Sequence, residues 1–588
     1  MTQHLRPSRL LPVLALAIFT ECKTNVRPDL PPGDRDNGGL FLPDGFKAVV
    51  VADSIGRARH IAVNDNGDIY VKLAYNDLMH GRGGTVALRD IDNDGKADVI
   101  AYFGNYKDKG DLPEGMTIHN GYLYTSTVRN ILRNKLRQGE LLPDSATEVV
   151  FTDDSDVFRH WHATKPLAFD DHGNMYIPFG APDDAAQDVQ LAGPAGIPNG
   201  RGVDPAPELE KHAGIWKFDA NATGLTQKDG RKYATGIRSV LGIAWSPLDN
   251  TLYAVMNGMD NFHTRYPSIY TSWQAAVLPG EPLLKVTEGA DFGWPYAYYD
   301  QLQGKNLLQP GYGGDGKIVG RAAAFNKPAM AFPGHWAPMD LLFYQGNQFP
   351  ERYKNGAFVA FHGSTDRSPY PQAGYIVCFV PFEKGVATDK WEVFADGFTR
   401  VDTVVNTSDA VFRPMGLATG PDGSLYICES NKGRIWRVMY QGDKDKFGSA
   451  QLAAMEARKS SRTYIKMPDP VKDNLGKGGE MEGHILYMSY CTGCHQPNGK
   501  GDNSRYPPLA GSEWLSGDRD RLIGVLLHGL QGEIKVNGKT YNGIMPAHGA
   551  FLDDHAIASI LTYIEQRFNK VTCAITTTQV TRIRKGTP

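Results

Sequence analysis

The sequence predicts an all-β six-bladed β-propeller followed by a small all-α domain, and two observations carry that reading. Residues 40–440 repeat one unit six times, a polar turn leading into a short strand of apolar and aromatic residues. Residues 480–570 lack this unit and instead show helix-period patterns around a Cys-x-x-Cys-His run. With 588 residues, 41% of them apolar, there is material for about two to four ordinary cores. The formal net charge of -3 gives no case for nucleic-acid binding.

Taken in order, residues 1–22 read as an export signal: Arg6 and Arg9 precede the apolar run Leu10 to Phe19, which is too short to span a bilayer. Cys22 and a Pro-rich tether, 23–39, follow, so the start resembles a bacterial lipoprotein. Glu21 departs from the small residue usual before such a cysteine, and Ala15-Leu16-Ala17 offers another cleavage site. Either processing implies an exported, periplasmic protein that touches a membrane only through an N-terminal lipid anchor.

The repeat appears at Asp68-Ile-Tyr70, Tyr122-Leu-Tyr124, Asn174-Met-Tyr176, Thr251-Leu-Tyr253, Gly356-Ala-Phe358 and Ser424-Leu-Tyr426. Asn66-Gly67, His172-Gly173 and Asp422-Gly423 supply hairpin turns ahead of three of them. Six four-stranded blades of about 65 residues would use this length; a pair of β-sandwiches is the competing architecture. The wide interval between Tyr253 and Phe358 must hold insertions, and Gly289 to Asp300 reads as a surface loop over one face. In a propeller the strand ahead of each hairpin lines the central channel, so Arg59, His162, Arg238 and Arg413 would meet at one mouth. Clustered arginines repel one another unless an anion is supplied. Asp90, Asp92, Asp94, Lys96 and Asp98 form a loop with oxygen ligands spaced for calcium, and strand-like flanks make it structural.

Residues 441–479 read as a Lys- and Gly-rich linker with a helical start, Gln451 to Arg458. Beyond it, Cys491 and Cys494 can form thioethers to one porphyrin while His495 ligates its iron, a haem c attachment site. Met545, between Ile544 and Pro546, supplies a sixth ligand that favours reduced iron. Helical patterns run from Gly483 to Tyr490, Asp520 to His528 and Asp553 to Phe568. Residues 480–570 therefore resemble a class I cytochrome c domain, with 571–588 as a tail. Cys378 and Cys428 either pair or stay buried as thiols, and Cys573 is unassigned.

Six segments of the propeller region carry a second resemblance: His162-Ala-Thr-Lys-Pro-Leu-Ala-Phe, Gly236-Ile-Arg238, Phe292-Gly-Trp-Pro-Tyr, Ala337-Pro-Met-Asp, Ala357 to Arg367, and Arg413-Pro-Met-Gly-Leu-Ala. In this order they are similar to soluble sugar dehydrogenases dependent on pyrroloquinoline quinone (PQQ), of the sorbosone and aldose branch. The resemblance implies PQQ over the channel mouth, with His162 as catalytic base, ahead of its neighbour His160, and Arg238 beside the reactive carbonyl. It implies cofactor contacts at Arg59, Lys165, His362, Arg367 and Arg413, and a cofactor calcium near Asp260 and Asn261. Ser239, Lys165 and Thr365-Asp366 depart from the family's residues. The combined expectation is a quinohaemoprotein oxidising an aldose or related hydroxyl or aldehyde, with electrons passing through haem c to a downstream respiratory acceptor. Its rivals are a non-catalytic carbohydrate-binding propeller on an anchored cytochrome, and a lactonase-like hydrolase.

Overall fold

The computed structural model describes residues 30–74, 84–104, 115–155, 162–187, 200–468 except 261, 267 and 368–369, and 480–586 except 497, 503–505, 550–551 and 572–573. The expectations placed on residues 2–29, including Cys22, and on His160, Asn261 and Cys573 lie outside the described residues.

Six antiparallel meanders make the propeller, each opening with an inner strand: Ala58–Val63, Met116–His119, Ala168–Phe169, Val240–Ser246, Pro338–Phe343 and Pro414–Thr419. Each repeat expected from the sequence forms the second strand of a blade, from Ile69–Leu73 through to Leu425–Glu429. Its aromatic residue, from Tyr70 to Tyr426, is buried between blades in every case. The last blade borrows its outer strand from the start of the chain: Phe46–Ala52 pairs with Ile435–Tyr440, Phe46 opposite Tyr440. The ring is thus closed by backbone hydrogen bonds between its ends, which leaves no open sheet edge at the seam.

The insertion between Tyr253 and Phe358 differs from its expectation. Phe292, Trp294 and Tyr298 are buried, and Ala290–Asp291 adds a parallel strand to the third blade. Residues 289–300 are therefore core packing rather than a surface loop, because the aromatic side chains cover a neighbouring blade. The helix Ser272–Val277, capped by Thr271, packs in the same insertion. Cys378 and Cys428 are separate buried thiols.

The linker is only partly a linker. Ser449–Ser461 forms a helix whose Met455 enters the propeller core, and Tyr464 and Ile465 follow it there. Its Arg458 pairs with Asp396, which also accepts a 2.8 Å bond from the Tyr464 hydroxyl.

In the C-terminal domain, helix Glu480–Tyr490 crosses helix Asp554–Asn569 closely at Gly483, where a Cβ would lie 2.2 Å from the Ser559 carbonyl oxygen. Only glycine fits that crossing. Helix Arg519–His528 completes the core through Leu522, Ile523, Leu526 and Leu527. The domain is not all-helical: strands Leu530–Val536 and Lys539–Met545 form a hairpin. Nor is the end a tail, since Thr577–Arg584 is a helix that buries Val580 and pairs Arg582 with Asp520 and Arg584 with Asp554. Among the described residues no helix is long and apolar enough to cross a membrane.

Candidate functional site

The inner strands surround a central cavity of about 490 Å³, lined by His60, His119, Trp245, Asp340 and Thr419 among others. Ahead of the third blade's inner strand, outside the lining of this cavity, His162 is buried, and its Nδ1 donates to the Ala181 carbonyl at 2.7 Å. That bond fixes the tautomer that keeps Nε2 as the basic nitrogen. Burial, then the charge of Arg238, push His162 down to about 4, so its ring is neutral at ordinary pH.

Arg238 does not stand alone. Its Nε donates to Asp184 Oδ1 at 2.9 Å, its Nη2 pairs with Asp184 and with Asp260 Oδ2 at 3.0 Å, and its Nη1 donates to the Gly258 carbonyl at 2.6 Å. Asp184 also receives Arg265 at 2.9 Å and lies 4.0 Å from His162 Nε2. Asp184 thus joins base and arginine, and sequence reasoning missed it. The adjacent carboxylates Asp183-Asp184, in an otherwise apolar stretch, were the available signal.

Asp260, His335 and Asp366 bring ligand atoms within 4.8 Å of one another. Burial opposes charge on His335, but the Asp260 carboxylate, 3.3 Å from its Nδ1, lifts it to about 8. Burial, then the charge of Asp260, raise Asp366 to about 6. The trio suits a cation once His335 has given up its proton.

Arg367 is 1% exposed; its Nε donates to the Ala276 carbonyl at 3.0 Å and its Nη1 has no partner among the described residues. Burial lowers it to about 10. Arg413 donates only to carbonyls, from Nε to His362 at 2.9 Å and from Nη2 to Gly363 at 2.5 Å. His362 contacts the Ser430 hydroxyl at 2.5 Å and is held neutral by burial and by the charges of Arg413 and Arg59. Among the described residues neither guanidinium hydrogen-bonds a carboxylate, although Glu281 and Glu429 act on them through space, and one carries an orphaned buried N–H; a polyanion would satisfy both. Lys165 must be removed from that set. Its ammonium pairs with Asp153 at 3.0 Å and donates to the Val128 carbonyl, so its charge is neutralised inside the protein.

On the rim of the first blade, Asp90, Asp92 and Asp98 bring carboxylate oxygens within 4.8 Å of one another. Asp94 lies outside that group, and like the other three it accepts a backbone N–H, that of Lys96 at 2.8 Å. The C-terminal domain holds a pocket of about 100 Å³, lined by Cys491, Cys494, His495, Met545, Tyr541 and Ile534 among others. His495 Nδ1 donates to the Pro507 carbonyl at 3.0 Å, which leaves Nε2 as the ligating nitrogen. The apolar walls, paired thiols and oriented imidazole fit a covalently held haem.

Fold and basin define a class: a six-bladed propeller with a cation-bearing mouth, carried on one chain with a c-type cytochrome domain. The chain belongs to the TrAA12-like family, whose model matches residues 40–441, and residues 481–567 match the cytochrome c family model. The latter region is 47% identical over 89 residues to cytochrome c-552 of Thermus thermophilus, covering 14% of this chain and 66% of that one. Two solved structures share the propeller fold. The calcium structure of the Trichoderma reesei Carbohydrate-Active Enzymes Family AA12 protein has a TM-score of 0.54 and 18% identity, over 68% of this chain and 97% of that one. The holo form of the PQQ domain of pyranose dehydrogenase from Coprinopsis cinerea gives 0.53 and 17%, over 70% and 98%. The chain spans from about a third to two thirds of the length of the curated relatives it matches, at 32%, 51% and 66%.

Proposed function

We propose that this protein is a quinohaemoprotein oxidoreductase, which oxidises a sugar hydroxyl with PQQ and passes the electrons to haem c on the same chain. The aldose and sorbosone class is the substrate this reading favours. The orphaned N–H of Arg367 and the carbonyl-bound Arg413 carry it, because guanidiniums that bond no carboxylate among the described residues call for a multiply charged anion and PQQ bears carboxylates. Neighbours whose names or titles state PQQ give independent support.

PQQ would be held by Arg367 and Arg413, with Arg59 and His362 beside them, and would supply two-electron oxidation. His162 Nε2 takes the proton of the substrate hydroxyl, a task suited to a neutral imidazole. Arg238, clamped by Asp184 and Asp260, presents a fixed charge that cannot swing away. A cofactor calcium would take oxygen ligands from Asp260 and Asp366, and a structural one from Asp90, Asp92 and Asp98. The basic and apolar start of the chain and the haem c chemistry favour export to the periplasm, with Cys22 as a lipid anchor and a respiratory acceptor downstream.

The test is to load the haem-bearing protein with PQQ and calcium and follow the haem absorption band with a panel of sugars. Reduction by aldoses alone is the expected result. A haem that stays oxidised with every sugar, while PQQ binds, would leave a carbohydrate-binding propeller.

A further inference from the structure

The chain leaves the propeller beside the mouth, and the residues that hold it there also hold the basin. Trp273 Nε1 donates to the Pro468 carbonyl at 2.7 Å, and Pro468 is the last described residue before the cytochrome domain. Trp273 belongs to helix Ser272–Val277, whose Ala276 carbonyl receives Arg367 at 3.0 Å and whose Ala275 carbonyl receives His335 at 2.8 Å. From the other side the Tyr464 carbonyl accepts the Gly374 N–H at 2.9 Å, on the segment that follows Arg367, and Ile465 is 2% exposed. Residues 464–468 are therefore pegged between two supports of the mouth. Eleven residues separate Pro468 from residue 480, where the first cytochrome helix begins. A chain of that length spans on the order of 40 Å when fully extended. A tether no longer than that holds the two domains at an effective concentration on the order of millimolar. On the cytochrome side, Tyr490 and Ile544 adjoin Cys491 and Met545 in the lining of the haem pocket and mark the side on which it opens.

We infer that the cytochrome domain of the same chain docks with this side over the propeller mouth, and that Trp273 is a positioning residue that fixes its tether at the rim. This rests on the function proposed above but makes a separate geometric claim. A rim exit confines the haem to the face where oxidation would occur, whereas an exit at the hairpin-turn face would put the ring between them.

The test uses the full haem-loaded chain with Cys22 and Cys573 replaced, carrying a nitroxide at Lys432→Cys near the mouth or at Asp65→Cys on the opposite face; both positions are exposed. The ferric haem should accelerate relaxation of the Lys432 label and not of the Asp65 label. Dilution with unlabelled protein should leave this unchanged. Inserting twenty Gly/Ser residues after Asn474 should reduce the effect about four-fold, and Trp273→Phe, which loses the bond to Pro468, should also reduce it. Equal relaxation at both labels, or relaxation at Asp65 alone, overturns the docking; an unchanged signal in Trp273→Phe overturns the role of the peg. Relaxation at Lys432 without sugar oxidation would sink the proposed activity and leave the docking standing.

Discussion

The haem pocket and the propeller mouth are built by opposite means. The pocket takes both thiols and one iron ligand from five consecutive residues, 491–495, and its remaining wall is largely apolar. The mouth gathers His162, Arg238, Asp260, His335, Arg367 and Arg413 from positions up to about 250 residues apart and holds them with ion pairs and carbonyls. A covalent site needs only a local motif and an apolar wall. A site that recognises an anion needs many fixed dipoles, and those come from many strands at once.

The two sites should therefore fail differently, and the largest effect belongs to the local one. Replacing Cys491 and Cys494 by Ser should abolish covalent haem, read as loss of the haem band in denaturing gels. Dye-linked sugar oxidation by the propeller should survive within about two-fold. His162→Ala should lower dye-linked kcat by about 10²–10⁴-fold with haem content intact; a smaller loss would move the base elsewhere. For Lys165, which the mouth does not use, Lys165→Met should cost about 3–5 kcal/mol by stranding Asp153, and the double variant Lys165→Met with Asp153→Leu should recover most of it. Denaturant midpoints decide this, and cofactor affinity should not change once the protein is folded.

Smaller effects sharpen the electrostatic half. Arg367→Met should weaken PQQ retention at least ten-fold yet raise the melting temperature of cofactor-free protein by a degree or more, because it removes a buried and incompletely paired cation. A lower melting temperature would mean that the arginine is structural. His162 lies below its ordinary value, so its basic form is present above about 4 and is lost as pH falls through it. The acid limb of kcat/KM should accordingly sit near pH 4 rather than 6.5. Arg238→Met should move that limb upward, since its charge is the second cause of the shift.

Legibility in the sequence followed the same division. The six buried aromatics at Tyr70, Tyr124, Tyr176, Tyr253, Phe358 and Tyr426 announced the blades because a strand repeats its chemistry with its geometry. The haem residues were legible because their spacing is the chemistry. Asp184 was not, since its partners Arg238 and Arg265 lie 54 and 81 positions away and meet it only after the blades pack. Lys165 misled for the matching reason: its place three residues after His162 points to the mouth, whereas its ammonium turns to Asp153 of the preceding blade. The hairpin Leu530–Met545 went unseen because Leu530, Ile534 and Tyr541 serve the pocket rather than a sheet, leaving a weak alternation between polar residues.

Storing the first strand in the last blade has a consequence for biogenesis. In a chain exported as proposed above, Phe46–Ala52 crosses the membrane ~390 residues before Tyr440, its opposite number. Throughout that interval a sticky apolar ribbon has nowhere native to go, so nascent copies are vulnerable to pairing with one another, and a chaperone that shields this segment should raise the yield of closed rings.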